Sequence, residues 1–374
     1  MYVENLSLVN FKNYSDISVQ FHPKLNCFVG DNGVGKTNLL DALYYLCMCK
    51  SYFQVNDLYS IRTGEEFMVL QAQFNKEQKS EELYCGLKFN SRKQFRRNKK
   101  EYSRLSDHIG LFPLVMVSPV DSQLILEGSE QRRRYMNGVI SQYDRLYLEN
   151  TLHYKRILTQ RNKLLKDDRS DSEANELLDI FDRQLVEYGE AIHKQRLAFI
   201  DTFIPVFNRF YQFISGGNES VELIYQSQLS DSDFSQKLKE SRPRDFILKY
   251  TTIGIHKDDL LLNLNGIPIK QIGSQGQQKT YLVSLKFAQF EFLQNLKGFP
   301  PLLLLDDVFD KLDVKRVKQI LKLVNENSFG QIFITHTNLD RMKGILNDLN
   351  IDHKLFRVAE GIVDEIDDQA AEVA

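Results

Sequence analysis

The sequence predicts an α/β fold, in which a long antiparallel helical lobe interrupts a mixed or parallel sheet. A glycine-rich turn lies between an apolar run at 25–29 and a stretch of helical spacing at 38–46. Two further apolar runs, 302–305 and 332–334, are separated by a helical segment. Apolar strands joined by helices are typical of parallel sheets that are covered on both faces. Helical spacing from about residue 130 to 213 supplies the lobe.

Length and composition limit the class of protein. At 374 residues the chain exceeds one ordinary domain, so we predict a head in two parts, 1–128 and 251–374, with the helical lobe at 129–250. A net charge of −2 excludes a bulk cationic coat, and any nucleic-acid surface must be a local patch. Without a cationic leader or an apolar run of membrane-spanning length, we expect a cytoplasmic protein with no membrane interaction. The cysteines show no metal-ligand spacing and are expected to be core thiols: Cys27, Cys47, Cys49 and Cys85.

The remaining elements follow from alternation and helical spacing. Within the lobe, helices are predicted at about 130–166 and 175–213, with Gly189 and Pro205 as candidate interruptions. At 1.5 Å per residue, this pair would form an arm roughly 50 Å long. The other predicted strands lie at 3–9, 17–21, 67–74, 83–89, 114–117, 221–225 and 260–264.

The glycine-rich turn reads GDNGVGKT and fits the phosphate-binding pattern G-x-x-x-x-G-K-[ST]. Its backbone amides, at the positive end of a helix, can hold a polyphosphate such as that of ATP. Lys36 would reach the β- and γ-phosphates, and the Thr37 hydroxyl would bind Mg²⁺. A glycine-rich turn with a chance lysine is the alternative. The candidate nucleotide-binding residues are Gly30, Asp31, Asn32, Gly33, Val34, Gly35, Lys36, Thr37 and Asn38.

Two adjacent acids follow the apolar run 302–305. A carboxylate at the carboxyl end of a central parallel strand is well placed to hold a metal ion. Asp306 is predicted to bind Mg²⁺, directly or through water, and Asp307 to orient or deprotonate the attacking water. A buried leucine strand is structural by default, but two acids at its end have no packing purpose.

His336 ends the next apolar run, one helix after the acidic pair. This spacing places neighbouring strand ends side by side, so we predict that the imidazole contacts the γ-phosphate. An incidental histidine is the alternative.

A second glycine-rich segment, GSQGQQ at 273–278, precedes an amphipathic helix. Ser274 is a plausible N-cap, and the glycines allow backbone amides to approach a phosphate closely. By itself the segment also fits an ordinary turn before a helix.

Along the chain the four elements follow in the order GDNGVGKT, GSQGQQ, the acidic strand end and His336, and in this order they resemble the ABC-type ATPases. In that family the second glycine-rich loop caps the nucleotide of another subunit. The resemblance therefore implies an ATP-induced homodimer, in which Ser274, Gly276 and Gln277 contact ATP held by the other copy.

Five blocks match one family within that superfamily: LVNFKNY at 8–14, Ser118-Pro119 with Asp121, Gly128 with 132–135, GIHKDD at 254–259 and GSQGQQKT at 273–280. In these blocks the chain most resembles the RecF family. Departures fall at Val120, Ile255, Lys257 and Asp310-Lys311, the last of which replaces the usual small residue and acid of the family. The first matching block adds Lys12 and Asn13 to the nucleotide-binding residues. Gln123 and Ser118 are both candidates for the lid residue.

The RecF resemblance implies an ATP-dependent clamp on duplex DNA near single-strand gaps. Such proteins act with RecR and RecO and help to load RecA, and slow ATP hydrolysis serves as the release switch. Basic residues at 92–104, at 132–134 and on the lobe are candidate phosphate contacts, although a solvated hairpin is the alternative for 92–104. The main rival function is the ATPase subunit of a membrane ABC transporter. The long interval between Lys36 and Ser274 disfavours that rival, because a transporter carries a compact helical insert.

Overall fold

The computed structural model describes residues 1–167, 172–217, 219–230, 233–309, 314–326, 329–349 and 352–366. Within these ranges the strands are β1 (Tyr2–Phe11), β2 (Tyr14–Gln20), β3 (Leu25–Val29), β4 (Phe67–Lys76), β5 (Lys79–Lys88), β6 (Gln94–Arg97), β7 (Lys100–Glu101), β8 (Leu114–Val117), β9 (Val221–Gln226), β10 (Asp259–Leu264), β11 (Ile267–Pro268), β12 (Leu302–Leu305), β13 (Ile332–His336), β14 (His353–Ala359) and β15 (Ile362–Ile366). The helices are α1 (Lys36–Met48), α2 (Gln123–Leu126), α3 (Ser129–Ile140), α4 (Arg145–Lys166), α5 (Ser172–Ser215), α6 (Phe234–Glu240), α7 (Arg242–Leu248), α8 (Ile269–Ile272), α9 (Gln275–Lys297), α10 (Val314–Glu326) and α11 (Leu339–Leu349).

The chain forms two compact units. The head unit comprises Met1–Ser122, Phe210–Gly216 and Ser274–Ala374, and the helical unit comprises Gln123–Arg209 and Gly217–Gly273. These limits differ from the predicted division into 1–128, 129–250 and 251–374. The strands β10 and β11 complete a sheet of the helical unit, whereas the end of α5 packs with α9 in the head through aromatic pairs.

One sheet of the head unit is antiparallel, with the strand order β2-β1-β4-β5-β6-β7. A β-bulge between Val3 and Asn5 shifts the register of β1 against β4. Val3 and Leu6, three positions apart, are therefore both buried, and alternation continues at Leu8.

The other sheet of the head unit has the order β15-β14-β3-β13-β12-β8. All its pairings are parallel except that of β14 with β15. Every residue of β3, β8, β12 and β13 is buried, and apart from Asn26, Thr335 and His336 these residues are all apolar. The carboxyl ends of parallel strands share one edge, so Gly30, Ser118, Asp306 and His336 lie along it. The predicted α/β class with a parallel sheet is confirmed.

The helices of the lobe differ from the predicted pair. The first predicted helix is two helices, α3 and α4, because the Asp144 side chain accepts a hydrogen bond from Tyr147 N and starts α4 there. The second, α5, runs without interruption for 44 residues, about 66 Å, through both Gly189 and Pro205. The interruptions predicted at these residues are wrong. None of the described helices has the length and apolarity that crossing a bilayer requires.

The helical unit is not purely helical, since it contains the sheet β11-β10-β9. An ion pair and a hydrogen bond inside it join α4 and α5 in antiparallel alignment. Arg161 of α4 pairs with Asp182 of α5 at 2.7 Å. Near the other end of α4, Tyr147 OH accepts a hydrogen bond from Arg196 Nε of α5 at 3.1 Å.

Candidate nucleotide site

The loop 30–35 joins the buried strand β3 to helix α1. Gly35 is the N-cap of α1, with φ 115°, and a Cβ at this position would lie 2.3 Å from Asn13 Nδ2. A Cβ on Gly30 would lie 2.2 Å from the carbonyl oxygen of Val358. Both positions therefore exclude a side chain. Backbone amides are left to line the loop at the positive end of α1, an arrangement that favours an anion.

Lys36 folds across this loop. Its Nζ donates hydrogen bonds to the carbonyl oxygens of Gly30 and Asp31, each at 2.8 Å. Burial lowers the pKa of the Lys36 ammonium group, while Asp307 and Asp306 act to raise it. The positive charge is thus held inside the loop, beside the backbone that the pattern predicts to carry phosphate.

Asp306 lies at the end of β12, and its hydrogen-bond partners are hydroxyl groups. Oδ1 accepts from Thr37 Oγ1 and from Thr335 Oγ1, each at 2.9 Å, and Oδ2 accepts from Ser118 Oγ at 3.3 Å. Burial raises the pKa of the Asp306 carboxyl group, against the effect of these hydrogen bonds. Hydroxyl and carboxylate oxygens are ligands that Mg²⁺ prefers, so the donor set fits the predicted cation.

Asp307 adopts a left-handed backbone conformation, with φ 47°. Its N–H donates to Thr335 Oγ1 at 3.0 Å, and its carbonyl oxygen accepts from Lys279 Nζ at 3.2 Å. Such a conformation costs a non-glycine residue roughly 1–3 kcal/mol and persists only where neighbouring groups hold it. Thr335 therefore orients both acids, through the side chain of Asp306 and the backbone of Asp307. The catalytic role of Asp307 stays a prediction.

His336 closes β13 and pairs with Val29, the residue before the loop. Its side chain is buried, and Nδ1 accepts a hydrogen bond from Asn338 N at 3.0 Å. This bond leaves the proton of a neutral ring on Nε2. The topology thus brings His336 beside the glycine-rich loop, and its contact with a γ-phosphate stays a prediction.

Residues 12–14 brace the loop. Lys12 Nζ forms an ion pair with Asp41 of α1 at 2.6 Å. Asn13 donates from Nδ2 to the Val34 carbonyl oxygen at 2.9 Å, and its Oδ1 accepts from Asn38 Nδ2 at 2.7 Å. Tyr14 OH donates to the Gly35 carbonyl oxygen at 3.0 Å. Direct nucleotide contact by Lys12, Asn13 and Asn38 stays a prediction.

Ser274 begins α9 with a capping box. Its Oγ accepts from Gln277 N at 3.3 Å, and Gln277 Oε1 accepts from Ser274 N at 2.8 Å. Ser274 is exposed, whereas a Cβ on Gly276 would lie 2.7 Å from Arg316 Nη1. The second glycine-rich segment therefore presents its serine to solvent at the positive end of a 23-residue helix.

Several candidate DNA contacts are occupied within the chain. Lys93 Nζ bonds to Asp57 at 2.6 Å and to the Cys49 carbonyl oxygen at 2.7 Å, and so caps the end of α1. Arg97 makes a bidentate pair with Glu81. In the helical unit, Arg132 pairs with Asp259, Arg133 donates to the Asp258 carbonyl oxygen and Arg134 pairs with Glu130. The exposed cations of the 92–104 segment are Arg92, Lys99, Lys100 and Arg104.

Sequence reasoning missed two residues of the site, Thr335 and Tyr14. A hydroxyl next to the strand-end His336 was the available signal for Thr335.

Ser118, one of the two lid candidates, contacts Asp306, whereas Gln123 belongs to the helical unit. The residues behind the acidic strand, Asp310, Lys311, Leu312 and Asp313, lie outside the described residues.

Fold and site together define an ABC/SMC-like ATPase head. A family model described as the RecF/RecN/SMC N-terminal domain matches residues 2–355. The DNA replication and repair protein RecF of Bacteroides thetaiotaomicron is 51% identical, over 98% of this chain and 99% of that protein. The RecF of Flavobacterium johnsoniae is 46% identical, over 96% and 100%. The chain belongs to the RecF family.

Solved structures agree with this assignment. The recombination mediator protein RecF-ATP in the RecFOR pathway is 30% identical, with a TM-score of 0.88 over 98% of both chains. An Smc head bound to the C-winged helix domain of ScpA is 17% identical, with a TM-score of 0.58 over the whole of both chains, and shares the fold alone. The transporter alternative receives no support from these relatives.

Proposed function

We propose that this protein is an ATP-dependent, dimerising DNA-binding protein of recombinational repair and replication restart. It clamps duplex DNA at single-strand gaps and, with RecR and RecO, promotes RecA loading. The observation that carries the proposal is the 2.9 Å hydrogen bond between Thr37 Oγ1 and Asp306 Oδ1, because it joins the loop to the acidic strand across 269 positions of sequence. Family membership and the relative solved as RecF-ATP support it.

In this proposal the loop 30–38 binds the polyphosphate of ATP. The Lys36 ammonium group exchanges its hydrogen bonds to the carbonyl oxygens of Gly30 and Asp31 for hydrogen bonds to phosphate oxygens, which are charge-assisted. Thr37 and Asp306 hold Mg²⁺, which when bound neutralises charge on the β- and γ-phosphates. Asp307 orients or deprotonates the attacking water, and His336 donates from Nε2 to the γ-phosphate.

The signature segment acts on the nucleotide of a second copy. Ser274, Gly276 and Gln277 cap the ATP held by the partner, which gives a two-fold dimer with two composite sites. ATP adds contacts that exist only in the closed dimer, and slow hydrolysis removes them, so the clamp opens. The exposure of Ser274 supports this arrangement, since a serine buried in helix packing could not reach another subunit.

Duplex DNA is bound mainly through its phosphates. Contacts of this kind are salt-sensitive and weakly sequence-specific. The exposed cations Arg92, Lys99, Lys100 and Arg104 are the candidates from the head unit. A protein that acts on the chromosome in this way works in the cytoplasm of a bacterial cell.

The test of the proposed function is molecular mass by light scattering with ATP or ADP. We expect ATP to produce a dimer at tens of micromolar protein and ADP to leave a monomer. Asp307→Asn should accumulate the dimer, because binding persists and turnover is lost. Ser274→Arg should prevent the dimer while a fluorescent ATP analogue still binds.

The matched control is Ser103→Arg, which adds the same charge at another exposed serine of the head unit. It should dimerise as the parent does. A parent that stays monomeric with ATP, or a Ser274→Arg variant that dimerises normally, would contradict the composite site.

A further inference from the structure

A buried ion pair lies near the site but outside it. Lys286 of α9 pairs with Asp121 at 2.7 Å, and the two side chains are only 6% and 4% exposed. Tyr52 joins them, because its hydroxyl donates to Asp121 Oδ1 and accepts a hydrogen bond from Lys286 Nζ at 3.0 Å. Three separate segments of the head unit therefore meet at one carboxylate.

From this carboxylate a chain of hydrogen bonds leads to Asp306. The second oxygen of Asp121, Oδ2, accepts from Ser118 N at 2.8 Å. Ser118 Oγ then donates to Asp306 Oδ2 at 3.3 Å. Asp121 thus fixes the backbone of the residue whose hydroxyl orients Asp306.

The same cluster reaches the two glycine-rich segments. Lys286 lies on α9, the helix that Ser274 caps. Tyr52 N donates to Asp41 Oδ1 at 2.7 Å, and Asp41 lies on α1, the helix that begins at Lys36.

A buried ion pair is weak evidence for stability, since the desolvation of both charges offsets their attraction. It does impose a defined geometry, because each charge must keep its partner. A helix transmits a displacement of its first turn along its length as a rigid rod.

We propose that Lys286, Asp121 and Tyr52 are positioning residues that couple the placement of α9 to the orientation of Asp306 toward Mg²⁺. This inference rests on the proposed function. A shift of α9 at Ser274 moves Lys286, and Asp121 passes the movement to Ser118 and so to the Asp306 carboxylate. Loss of the cluster should lower the apparent affinity for Mg²⁺ more than it lowers the affinity for the nucleotide in the absence of Mg²⁺.

The test uses the full chain and a fluorescent ATP analogue, titrated in EDTA and then over a range of Mg²⁺ concentrations. Tyr52→Phe keeps the ring and removes only the hydroxyl. We expect the dissociation constant of the ATP analogue in EDTA to stay within about twofold of the parent value. The Mg²⁺ concentration that gives half of the maximal effect on binding of the analogue should rise by about tenfold, as it does when a group that supports a metal ligand is lost. Lys286→Met should raise it further, and Lys286→Arg should recover part of the loss.

Tyr44→Phe is the matched control, because the Tyr44 ring packs edge-on against Tyr52 with centroids 4.8 Å apart. It should not change the Mg²⁺ requirement. If Tyr52→Phe behaves like Tyr44→Phe, the inference is overturned while the proposed function stands. A parent protein that binds no nucleotide in either condition would overturn both.

Discussion

Asp306 of the head unit and Asp245 of the helical unit are both buried carboxylates, 3% and 0% exposed, with different surroundings. Asp245 pairs with Arg161 at 2.7 Å and also accepts hydrogen bonds from the backbone and hydroxyl of Thr252. Asp306 accepts only from the hydroxyl groups of Thr37, Ser118 and Thr335 within the part of the chain that the structure describes.

This difference separates a structural charge from a functional one. The charge of Asp245 is compensated by Arg161 inside its own unit. Asp306 forms no ion pair within the described residues, although the charge of Lys36 interacts with it, and burial raises the pKa of its carboxyl group. A bound cation would supply to Asp306 the positive charge that Arg161 supplies to Asp245. This is the physical reason to expect a metal at Asp306 and none at Asp245.

The largest expected effect concerns the compensated charge. Arg161→Met should lower the free energy of unfolding by about 3–5 kcal/mol, because it leaves Asp245 buried without its cation, whereas Asp182 keeps its ion pair with Arg242. Chemical denaturation measures this loss. Binding of a fluorescent ATP analogue by the folded fraction should be unchanged, since these residues belong to the helical unit. A loss below about 1 kcal/mol would remove the distinction between the two carboxylates.

Neutral histidines with lowered pKa values should make both units sensitive to acid. Burial lowers the pKa of His108 in the head unit and of His256 in the helical unit from 6.5 to about 4. Between these pH values the unfolded chain binds more protons than the folded chain. The contribution of each histidine to the free energy of unfolding is therefore fully present above about pH 6.5. It is lost as the pH falls toward 4, and the loss is about 3 kcal/mol for each histidine.

Denaturation midpoints measured from pH 7 to pH 4 check this dependence. His108→Gln should remove only the part of the pH dependence that comes from the head unit. His256→Gln should remove only the part that comes from the helical unit. A pH profile that neither substitution flattens would show that other groups control acid stability.

The smallest expected effect concerns the uncompensated charge. Asp306→Asn removes a buried charge and should raise the free energy of unfolding in EDTA by about 1 kcal/mol. The matched Asp245→Asn should lower it, because Arg161 loses a charged partner. Denaturation of the two variants side by side provides the measurement. Equal destabilisation of both would mean that Asp306 is structural.

Much of the head could be predicted, because its signals are local. A strand buried on both faces must be apolar, so β3, β12 and β13 stand out in the sequence, and the residues that end them are easily found. The helical unit was less predictable. Pro205 lies inside α5 although proline favours a break, and the packing of the flanking helix overrides that local preference.

The buried charges could not be assigned to partners from sequence. The GIHKDD block was visible as a motif, but its role in the fold was not. Asp258 pairs with Arg196 at 2.6 Å and Asp259 with Arg132 at 2.7 Å, and both pairs bridge residues far apart in the chain. In the same way, the run 132–134 was a candidate for DNA contact, and the structure gives each of these arginines a partner within the helical unit, although Arg134 stays exposed. Contact of this run with DNA stays a prediction.

The sequence by itself determined the strand-loop-helix at Lys36, the acidic strand end and the serine that caps α9. These depend on periodicity, glycine and capping chemistry, which act over a few residues. Only the tertiary structure decided that Thr37, Ser118 and Thr335 converge on Asp306, and that Asp121 connects Ser118 to Lys286. Contacts of this kind depend on which parallel strands are neighbours, and strand order is set by the packing of the whole head rather than by any local pattern.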